Sequence, residues 1–327
     1  MVFHKITMLV LVVVASANMR LQAYKKVYLS PGTYGDASKG WLGKAAQALL
    51  QMGYSLHPHK KLKNLKKPTA VLSFEISPRN CVRLAREHTK AVVMLFEPPS
   101  VIPENYDPRY HAAFERVYTW RDDLVDNKKY FKLFYFAMRP MIRNRVPFTA
   151  KKLCVLVNAN KSSGYPSELY SERRRVIDFY QQYHPAEFDL YGAGWDRSRY
   201  SVHKGGLEDK VIALNGYKFC ICYENIADQL GYITEKIFDC FAAGCVPIYW
   251  GAPNVTDYIP KNCFIDRRDF GSDAAVYEHI KSMPEAVFNE YIANIKAFLA
   301  SPQAQLFAEE NYVPFFVSVV REAEKLF

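Results

Sequence analysis

The loop and helix start at residues 224–236 carry side chains whose types and spacing suit phosphate binding. Thr234 is a predicted helix N-cap, and Glu235 and Lys236 follow it in the first turn. The unpaired N–H groups of a helix start attract anions, whereas a lysine beside them is unfavourable unless an anion is bound. This pattern is compatible with a phosphate site, although solvated first-turn charges account for most such residues in ordinary helices.

Glu97 is a carboxylate at the end of a predicted strand and is the second candidate for chemistry. It follows the apolar run AVVMLF and precedes two prolines. The carboxyl ends of parallel strands form the ligand-binding edge of a sheet, and partial burial there raises the pKa of a carboxyl group. Position alone favours a structural ion pair for Glu97, with a general base as the alternative. Asn105 and Tyr106 are candidates for orienting its substrate.

The elements that must position these groups alternate between strands and helices. Short apolar runs rich in β-branched residues predict strands, and apolar residues at helical spacing predict helices between them. The predicted strands cover residues 25–30, 68–74, 91–96, 116–120, 152–157, 188–191, 217–223 and 245–250. The predicted helices cover residues 39–52, 78–87, 168–183, 233–243 and most of 285–327. We predict an α/β protein with two Rossmann-like, doubly wound domains facing each other across a cleft, and a C-terminal helical segment.

The division into domains follows from a break in this alternation. Residues 122–147 are charged and aromatic, contain two prolines, and predict a boundary. We therefore predict an apolar segment at residues 1–20, a first domain at 21–148 and a second domain at 149–327. A ligand is expected between the two sheets. Dehydrogenases, periplasmic binding proteins and one large class of glycosyltransferases share this architecture, so the residues must decide the function.

Composition narrows the classes of partner. The chain has 327 residues, of which 50% are hydrophobic and 23% charged, as in a folded protein. Its formal net charge of +10 favours polyanionic partners such as a nucleotide diphosphate or anionic lipid. The densest basic run, HPHKKLKNLKK at residues 57–67, has few aromatic residues and no nucleic-acid-binding signature. It is predicted to be a solvated loop or a patch that holds the protein near an anionic membrane, and nucleic acid is not an expected partner.

The cysteines and the N-terminus bear on cellular location. The seven cysteines include no CxxC pair, which predicts buried packing rather than a zinc site or a disulfide framework. The apolar run at residues 6–15 is short for a bilayer span, which leaves a signal peptide, a membrane-dipping anchor or a buried element. We predict association with the cytoplasmic face of a membrane. The alternative is the Golgi lumen or secretory pathway, which sequons at Asn160 and Asn254 permit.

Several short elements of the second half resemble the donor-binding signature of one enzyme family. YEN, YITEK and AAGCVPIYWGAPN, followed by Phe264 and Ile265, occur in the order and spacing typical of the α1,3/4-fucosyltransferases, glycosyltransferase family 10. The resemblance is close over this stretch. It extends more weakly over much of the rest of the chain from about residue 95 onward. It implies the GT-B fold and a glycosyltransferase that uses GDP-fucose.

The resemblance also assigns roles to donor-binding residues. Asn225, Tyr232, Glu235 and Lys236 match the family's donor-binding positions, with the glutamate on the ribose hydroxyls and the lysine on the pyrophosphate. Two further residues, Lys204 and Glu224, are possible members of the donor loop.

An arginine and the catalytic base complete the set that the resemblance implies. The family places an arginine that pairs with the pyrophosphate at the start of the first helix of this domain. Arg173 fits best among three adjacent arginines, because apolar residues follow it at offsets of three, four and seven, whereas Arg174 and Arg175 suit a basic helix face. Glu97 resembles the family's catalytic glutamate, although Pro98 stands where many members carry serine.

The implied reaction is a single-displacement, inverting transfer of L-fucose from GDP-β-L-fucose to a hydroxyl of a protein- or lipid-linked glycan, with an α1,3-linkage as in the family. The alternatives are transfer from another GDP-sugar and a non-catalytic glycan- or nucleotide-binding protein. No cofactor and no essential metal are predicted, because the DxD element of many metal-dependent glycosyltransferases does not occur in a suitable loop. The expected partners are a GDP-sugar donor, an oligosaccharide or glycolipid acceptor, and an anionic membrane.

Overall fold

The computed structural model describes residues 24–29, 40–58 and 70–326. Within these ranges the strands form two separate six-stranded sheets, in which all the strand pairs are parallel. The predicted α/β class with two doubly wound halves is thereby confirmed. The predicted apolar segment at residues 1–20 and most of the basic run at 57–67 lie outside the described residues.

The first sheet is built from the N-terminal half of the chain. Its strands are β1 (Lys25–Leu29), β2 (Tyr54–Pro58), β3 (Ala70–Phe74), β4 (Val92–Leu95), β5 (Arg116–Thr119) and β6 (Tyr130–Lys132). They lie in the order β2-β1-β3-β4-β5-β6. The central strands β3 and β4 are buried along their whole length, as is usual in a parallel sheet with helices on both faces.

The second sheet is built from the C-terminal half. Its strands are β7 (Lys152–Val157), β8 (Phe188–Tyr191), β9 (His203–Gly205), β10 (Tyr217–Tyr223), β11 (Val246–Trp250) and β12 (Ile265–Asp266). They lie in the order β12-β11-β10-β7-β8-β9. The chain therefore leaves β7 in one direction and returns on its other side, so the order reverses between β7 and β10. Ligands of open α/β sheets bind at such a switch point, outside the carboxyl ends of the strands.

Helices cover the faces of both sheets. They are α1 (Gly40–Gln51), α2 (Pro78–Arg86), α3 (Pro108–His111), α4 (Tyr170–Tyr183), α5 (Lys210–Leu214), α6 (Glu235–Ala243), α7 (Asp273–Lys281), α8 (Glu285–Leu299), α9 (Pro302–Gln305) and α10 (Tyr312–Glu324). On the first sheet, α1 and α10 pack on one face and α2 packs on the other. No helix within the described ranges combines the length and the apolar character that a bilayer crossing requires.

The last helix returns to the first sheet. Phe316, Val319, Val320 and Ala323 of α10 are spaced three and four residues apart, lie on one face of the helix and are buried in the core of the first sheet. The ring of Phe316 lies parallel to that of Phe74, with 6.0 Å between the ring centroids. The predicted second domain therefore contributes its last helix to the core of the first, because this apolar face is covered there.

Four strands were not predicted from the sequence, and all four are edge strands. They are β2, β6, β9 and β12, which lie at the two ends of each sheet. Edge strands pair on one side only, are shorter and need no continuous apolar run, so they lack the pattern that identifies a buried strand. The strand β6 lies in the stretch predicted as the domain boundary and extends the first sheet.

Two chain segments cross between the sheets side by side. The N–H group of Met138, on the outward crossing, donates to the carbonyl of Phe307 at 2.8 Å, and the N–H group of Glu309 donates to the carbonyl of Met138 at 2.9 Å. The returning chain is therefore bonded to the outgoing one, and this joint holds the two sheets against each other.

Candidate active site

A cavity of about 300 Å³ lies between the two sheets, at the carboxyl ends of their central strands. It lies next to the point where the strand order of the second sheet reverses, which is where a ligand was expected. The cavity brings together six of the residues predicted from the sequence: Glu97, Arg173, Asn225, Tyr232, Glu235 and Lys236.

The start of α6 lies at the wall of this cavity. Thr234 is its N-cap, as predicted, and its hydroxyl accepts a hydrogen bond from the N–H group of Lys236. Glu235 is exposed in the first turn and its carboxylate lies 3.8 Å from the amino group of Lys236. The helix start and the exposed carboxylate of Glu235 therefore both lie at the wall of the cavity, where a ligand can contact them.

Lys236 is held in place from behind by Glu224. The Nζ atom lies 2.9 Å from Oε2 of Glu224 and 3.0 Å from Oγ1 of Thr234. Burial lowers the pKa of Lys236, but Glu224 and Glu235 outweigh it and hold that pKa above the ordinary lysine value. Glu224 is fully buried and does not line the cavity, so it supports Lys236 and Thr234 instead of forming part of a donor-contacting loop.

Arg173 lies on the buried face of α4 and points toward the same cavity. Its Nη2 atom donates to the carbonyls of Tyr223 and Glu224, both at 2.7 Å, and to Oδ1 of Asn225 at 3.0 Å. Its Nε atom is buried without a hydrogen-bond partner among the described residues. The Nη2 group thus fixes the loop after β10, while the Nε–H group has no partner in the part of the chain that the structure describes.

The other two arginines of this run have surface roles. Arg174 donates to the carbonyl of Lys161 at 2.8 Å, and Arg175 forms ion pairs with Glu172 and Asp273. Neither lines the cavity. Of the three arginines, the structure therefore places only Arg173 at the cavity.

Tyr232 joins the two halves beneath the cavity. Its ring lies against that of Trp120 from the first half, with 4.6 Å between the centroids, and its hydroxyl accepts a hydrogen bond from Nδ2 of Asn225 at 3.2 Å. Asn225 is thus held between Arg173 and Tyr232. The Tyr232 hydroxyl proton is free to be donated to a ligand.

Glu97 approaches from the opposite side of the cavity. Its carboxylate has neither a hydrogen bond nor an ion pair with any side chain in the part of the chain that the structure describes. Burial raises the pKa of Glu97, against the opposing influence of Lys236 and Lys161. A half-buried carboxylate with a raised pKa and no partner has the properties of a general base.

Five lining residues were not predicted. They are Tyr135, Asn158, Ala159, Lys161 and Tyr170. Asn158 directly follows β7, so the strand-end argument used for Glu97 could have found it. Tyr135 comes from the crossing segment and gives no signal in the sequence, because its place depends on how the sheets are joined.

Lys204 lies away from the cavity. It belongs to the edge strand β9, where its amino group lies 3.5 Å from a carboxylate oxygen of Asp189. It does not line the cavity in this structure. The sequence prediction put Lys204 near the donor because its loop comes shortly before β10. In the structure Lys204 belongs to the edge strand β9, and α5 connects that strand to β10 on the other side of the sheet.

Polar contacts between the halves surround Asp122. Its carboxylate accepts hydrogen bonds from Lys132, from Nδ2 of Asn254 at 2.8 Å and from the hydroxyl of Tyr258 at 2.6 Å. Oδ1 of Asn254 accepts from the N–H group of Gly231 at 2.8 Å. The amide of Asn254, a sequon residue, is therefore engaged at both ends, and Asp122 has no free carboxylate for a metal. No group of three or more His, Cys, Asp or Glu side chains within the described ranges is placed to hold a metal ion.

Comparison with solved structures identifies the class of fold. The crystal structure of an α1,3-fucosyltransferase with GDP matches with a TM-score of 0.58, covers 93% of this chain and 92% of that one, and is 16% identical. Two facing Rossmann-like sheets with the site in the cleft between them make this a GT-B fold.

Comparison with sequences identifies the family. Residues 147–309 match the family described as glycosyltransferase family 10 (fucosyltransferase), C-terminal part. The α1,3-fucosyltransferase FucT of Helicobacter pylori is 42% identical over 76 residues, which are 23% of this chain and 16% of that protein. The GDP-fucose protein O-fucosyltransferase 3 of Xenopus laevis is 34% identical over 82 residues, 24% of this chain and 17% of that protein. The chain belongs to glycosyltransferase family 10, although each of these matches spans less than a fifth of the relative's own length.

Proposed function

We propose that the protein transfers L-fucose from GDP-β-L-fucose to a hydroxyl group, with inversion at the anomeric carbon. The observation that carries the proposal is one cavity that is lined on one side by Glu97 and on the other by the cationic groups of Lys236 and Arg173. The carboxylate of Glu97 has no hydrogen-bond or ion-pair partner among the described residues. Membership of a fucosyltransferase family supports GDP-fucose as the donor.

In the proposed reaction, the acceptor oxygen attacks the anomeric carbon of fucose while its proton passes to the carboxylate of Glu97. A new bond forms between the acceptor oxygen and the anomeric carbon as the bond from that carbon to the β-phosphate oxygen breaks. The electron pair leaves with GDP. Lys236 and the start of α6 stabilise the charge that develops on the pyrophosphate, and so does Arg173 through its unpaired N–H group.

The remaining residues bind the donor in this proposal. The exposed carboxylate of Glu235 accepts hydrogen bonds from the ribose hydroxyls, and the hydroxyl of Tyr232 donates to the donor. Asn225 fixes Tyr232 and Arg173 relative to each other through its two amide atoms. Because cationic side chains stabilise the leaving group, we propose that transfer needs neither a metal nor a cofactor, and that a chelator such as EDTA leaves the rate unchanged.

The acceptor in this proposal is a glycan, and the transferred fucose is joined to it through an α1,3-linkage. A protein hydroxyl is the second candidate, because the Xenopus laevis relative is a protein O-fucosyltransferase and is similar over 24% of this chain. A panel of galactose- and N-acetylglucosamine-ended glycans, tested beside folded protein domains, separates the two. Products formed only on the protein domains would contradict the glycan proposal.

The central experiment measures GDP release and fucosylated product for the wild type and for Glu97→Gln. We expect the variant to lose a factor of about 10² to 10⁴ in kcat, because an amide cannot take the proton. Glu115→Gln, an exposed glutamate of the same domain, serves as the matched control and keeps wild-type activity. Retained turnover in Glu97→Gln would remove Glu97 as the base.

The choice of donor and the need for catalysis are tested separately. A panel of GDP-sugars, assayed by GDP release, distinguishes fucose from another GDP-sugar. A protein that binds GDP but turns over no GDP-sugar with any acceptor would instead be a nucleotide-binding relative. The anomeric configuration of the product, determined by NMR, decides between inversion and retention.

The cellular setting is proposed on charge. The net charge of +10 and the basic run at residues 57–67 support peripheral contact with an anionic membrane. Sedimentation with phosphatidylserine vesicles but not with phosphatidylcholine vesicles is the expected result, and equal binding to both would contradict an electrostatic contact. The secretory pathway remains the alternative location, and the engaged amide of Asn254 argues against modification at that sequon.

A further inference from the structure

We propose that Glu75 is a positioning residue that, together with Asn105, fixes the backbone of Glu97 and so aims its carboxylate into the cavity. Glu75 directly follows β3, the strand next to the one that carries Glu97. It does not line the cavity and does not touch the reacting groups. The inference rests on the proposed role of Glu97 as the base.

The carboxylate of Glu75 is bonded to the backbone at the end of β4. Its Oε1 atom accepts hydrogen bonds from the N–H groups of Phe96 and Glu97, both at 3.0 Å. Its Oε2 atom accepts a hydrogen bond from Nδ2 of Asn105. The N–H group of Glu75 itself still donates to the carbonyl of Met94 at 3.0 Å, as in the sheet. The side chain therefore continues the strand pairing where the backbone of β3 turns away.

The carbonyl groups of the same two residues are also bound by side chains. The carbonyl of Glu97 accepts from Nδ2 of Asn105 at 3.0 Å. The carbonyl of Phe96 accepts from the indole N–H of Trp120 at 2.9 Å and from the hydroxyl of Tyr135. All four backbone polar groups of Phe96 and Glu97 are thus fixed by side chains. A turn held in this way presents its own side chain in one orientation.

The backbone of Phe96 and Glu97 is held by a clamp of four side chains: Glu75, Asn105, Trp120 and Tyr135. Asn105 is therefore part of this clamp and not a substrate-orienting residue. It is fully buried, and its Oδ1 atom accepts from the N–H group of Ile76 at 2.8 Å. This bond fixes the amide orientation, so that its Nδ2 group faces both Glu75 and the carbonyl of Glu97. Its own carbonyl is bonded to the imidazole of His111 at 2.8 Å.

Two features of Glu75 go against ordinary folding preferences. It has φ of 59°, in the left-handed region that non-glycine residues rarely adopt, and its carboxylate is buried with no cationic partner among the described residues. Both features are costly, and such costs concentrate at functional sites. If this turn had only a structural role, glycine at this position would adopt the same backbone conformation with less strain.

The hydrogen bonds from the Glu75 carboxyl group to the backbone form in both of its protonation states. Burial raises the pKa of Glu75 to about 8, against the lowering effect of the N–H groups and of Asn105. The carbonyl oxygen of the neutral carboxylic acid still accepts the two backbone hydrogen bonds, although an ionised oxygen binds these N–H groups more strongly. A side-chain amide supplies the same acceptor for the two N–H groups, although its NH2 group would face Nδ2 of Asn105, donor to donor.

The test compares Glu75→Gln with Glu75→Met. Glutamine keeps the acceptor for the two N–H groups, whereas methionine fills a similar volume without one, and both have the same backbone strain. We expect Glu75→Met to lower kcat on the order of 10- to 100-fold, because the base is misplaced. Glu75→Gln is expected to lower kcat less than Glu75→Met does, because it keeps both hydrogen bonds to the backbone and loses only the one from Asn105. In both variants the GDP affinity and the KM for GDP-fucose are expected to stay within about twofold of the wild-type values. GDP binding therefore counts the folded protein, and kcat is calculated per GDP-binding site.

A second measurement does not require turnover. Amide hydrogen exchange is expected to show protection of the N–H groups of Phe96 and Glu97 in the wild type and in Glu75→Gln, and loss of that protection in Glu75→Met. Equal kcat for the glutamine and methionine variants, or equal protection of these two amides, would overturn the proposal. If the wild type turns over no GDP-fucose, it is the proposed function that fails, and the exchange measurement alone decides whether the clamp exists.

Discussion

The amino group of Lys236 lies 2.9 Å from the carboxylate of Glu224, and the side chains of these two residues are 12% and 0% exposed. The pair explains how a lysine is tolerated in the first turn of α6, where the helix dipole disfavours it. Glu224 offsets the charge from behind, while the front of the ammonium group remains at the cavity. A bound pyrophosphate would therefore meet a cation that is already oriented.

Removal of Lys236 is expected to affect both stability and ligand binding. Lys236→Met leaves the carboxylate of Glu224 buried without its partner, so the free energy of unfolding should fall by about 3 to 5 kcal/mol. GDP affinity should fall as well, because a phosphate contact is lost. Denaturant unfolding and calorimetric titration with GDP measure the two effects.

The double variant Lys236→Met/Glu224→Gln separates these effects. It removes the stranded charge and should regain most of the stability, but it should not regain GDP affinity. Recovery of both together would mean that Lys236 acts only through the fold and makes no contact with the phosphate.

The guanidinium of Arg173 is expected to be irreplaceable by an ammonium group. The guanidinium bonds three oxygen atoms of the loop after β10, those of the Tyr223 and Glu224 carbonyls and of the Asn225 side chain. A lysine that made these bonds would have no N–H group left for a ligand. Arg173→Lys should therefore weaken GDP binding by about tenfold or more, since a charge-assisted hydrogen bond contributes about 1.5 to 3 kcal/mol. Arg174→Lys, one position further along α4, is the control, and an equal loss there would contradict a specific role for Arg173.

The central strands and the edge strands differ in how far the sequence specifies them. β4 and β10 are continuous apolar runs because they are covered on both faces, and they were predicted within a residue or two. β9 reads HKG and β12 has only two residues, so neither carries a pattern of its own. Such strands form because a neighbouring strand offers free backbone groups, which is a tertiary effect.

The two strand-end glutamates show the same limit within the site. Glu75 follows AVLSF just as Glu97 follows AVVMLF, so the argument that selected Glu97 applies equally to Glu75. The structure separates them, because the left-handed φ of Glu75 turns its side chain back onto the sheet while Glu97 faces the cavity. The motif around Lys236 did predict the site, because a loop and the helix that directly follows it are positioned by residues that are close in sequence.

Activity is expected to fall as the pH is lowered through the raised pKa of Glu97. A base works only in its deprotonated form, and burial raises this pKa above the ordinary glutamate value of about 4.3. The acid limb of kcat/KM should therefore lie at higher pH than an unperturbed glutamate would give. Lys161 lowers the pKa, so Lys161→Met should move this limb to still higher pH.

Lys128→Met is the control for this pH profile, because Lys128 is exposed and does not line the cavity. It should leave the acid limb in place. A limb that moves to lower pH in Lys161→Met would contradict the assignment of the limb to Glu97, since loss of a positive charge cannot favour a carboxylate.

Gly231 is expected to be essential for the contact between the two halves. It has φ of +81°, and a Cβ atom at this position would lie 2.3 Å from the carbonyl oxygen of Trp120 and 2.8 Å from a carboxylate oxygen of Asp122. Gly231→Ala must therefore push the loop that carries Tyr232 away from the first half. The strain of a left-handed alanine alone is on the order of 1 to 3 kcal/mol. Gly206→Ala is the matched control, because nothing lies within 4 Å of a Cβ there. We expect the melting temperature and the rate of transfer to fall in the first variant and to be unchanged in the second, and an unchanged Gly231→Ala would mean that the halves do not rely on this contact.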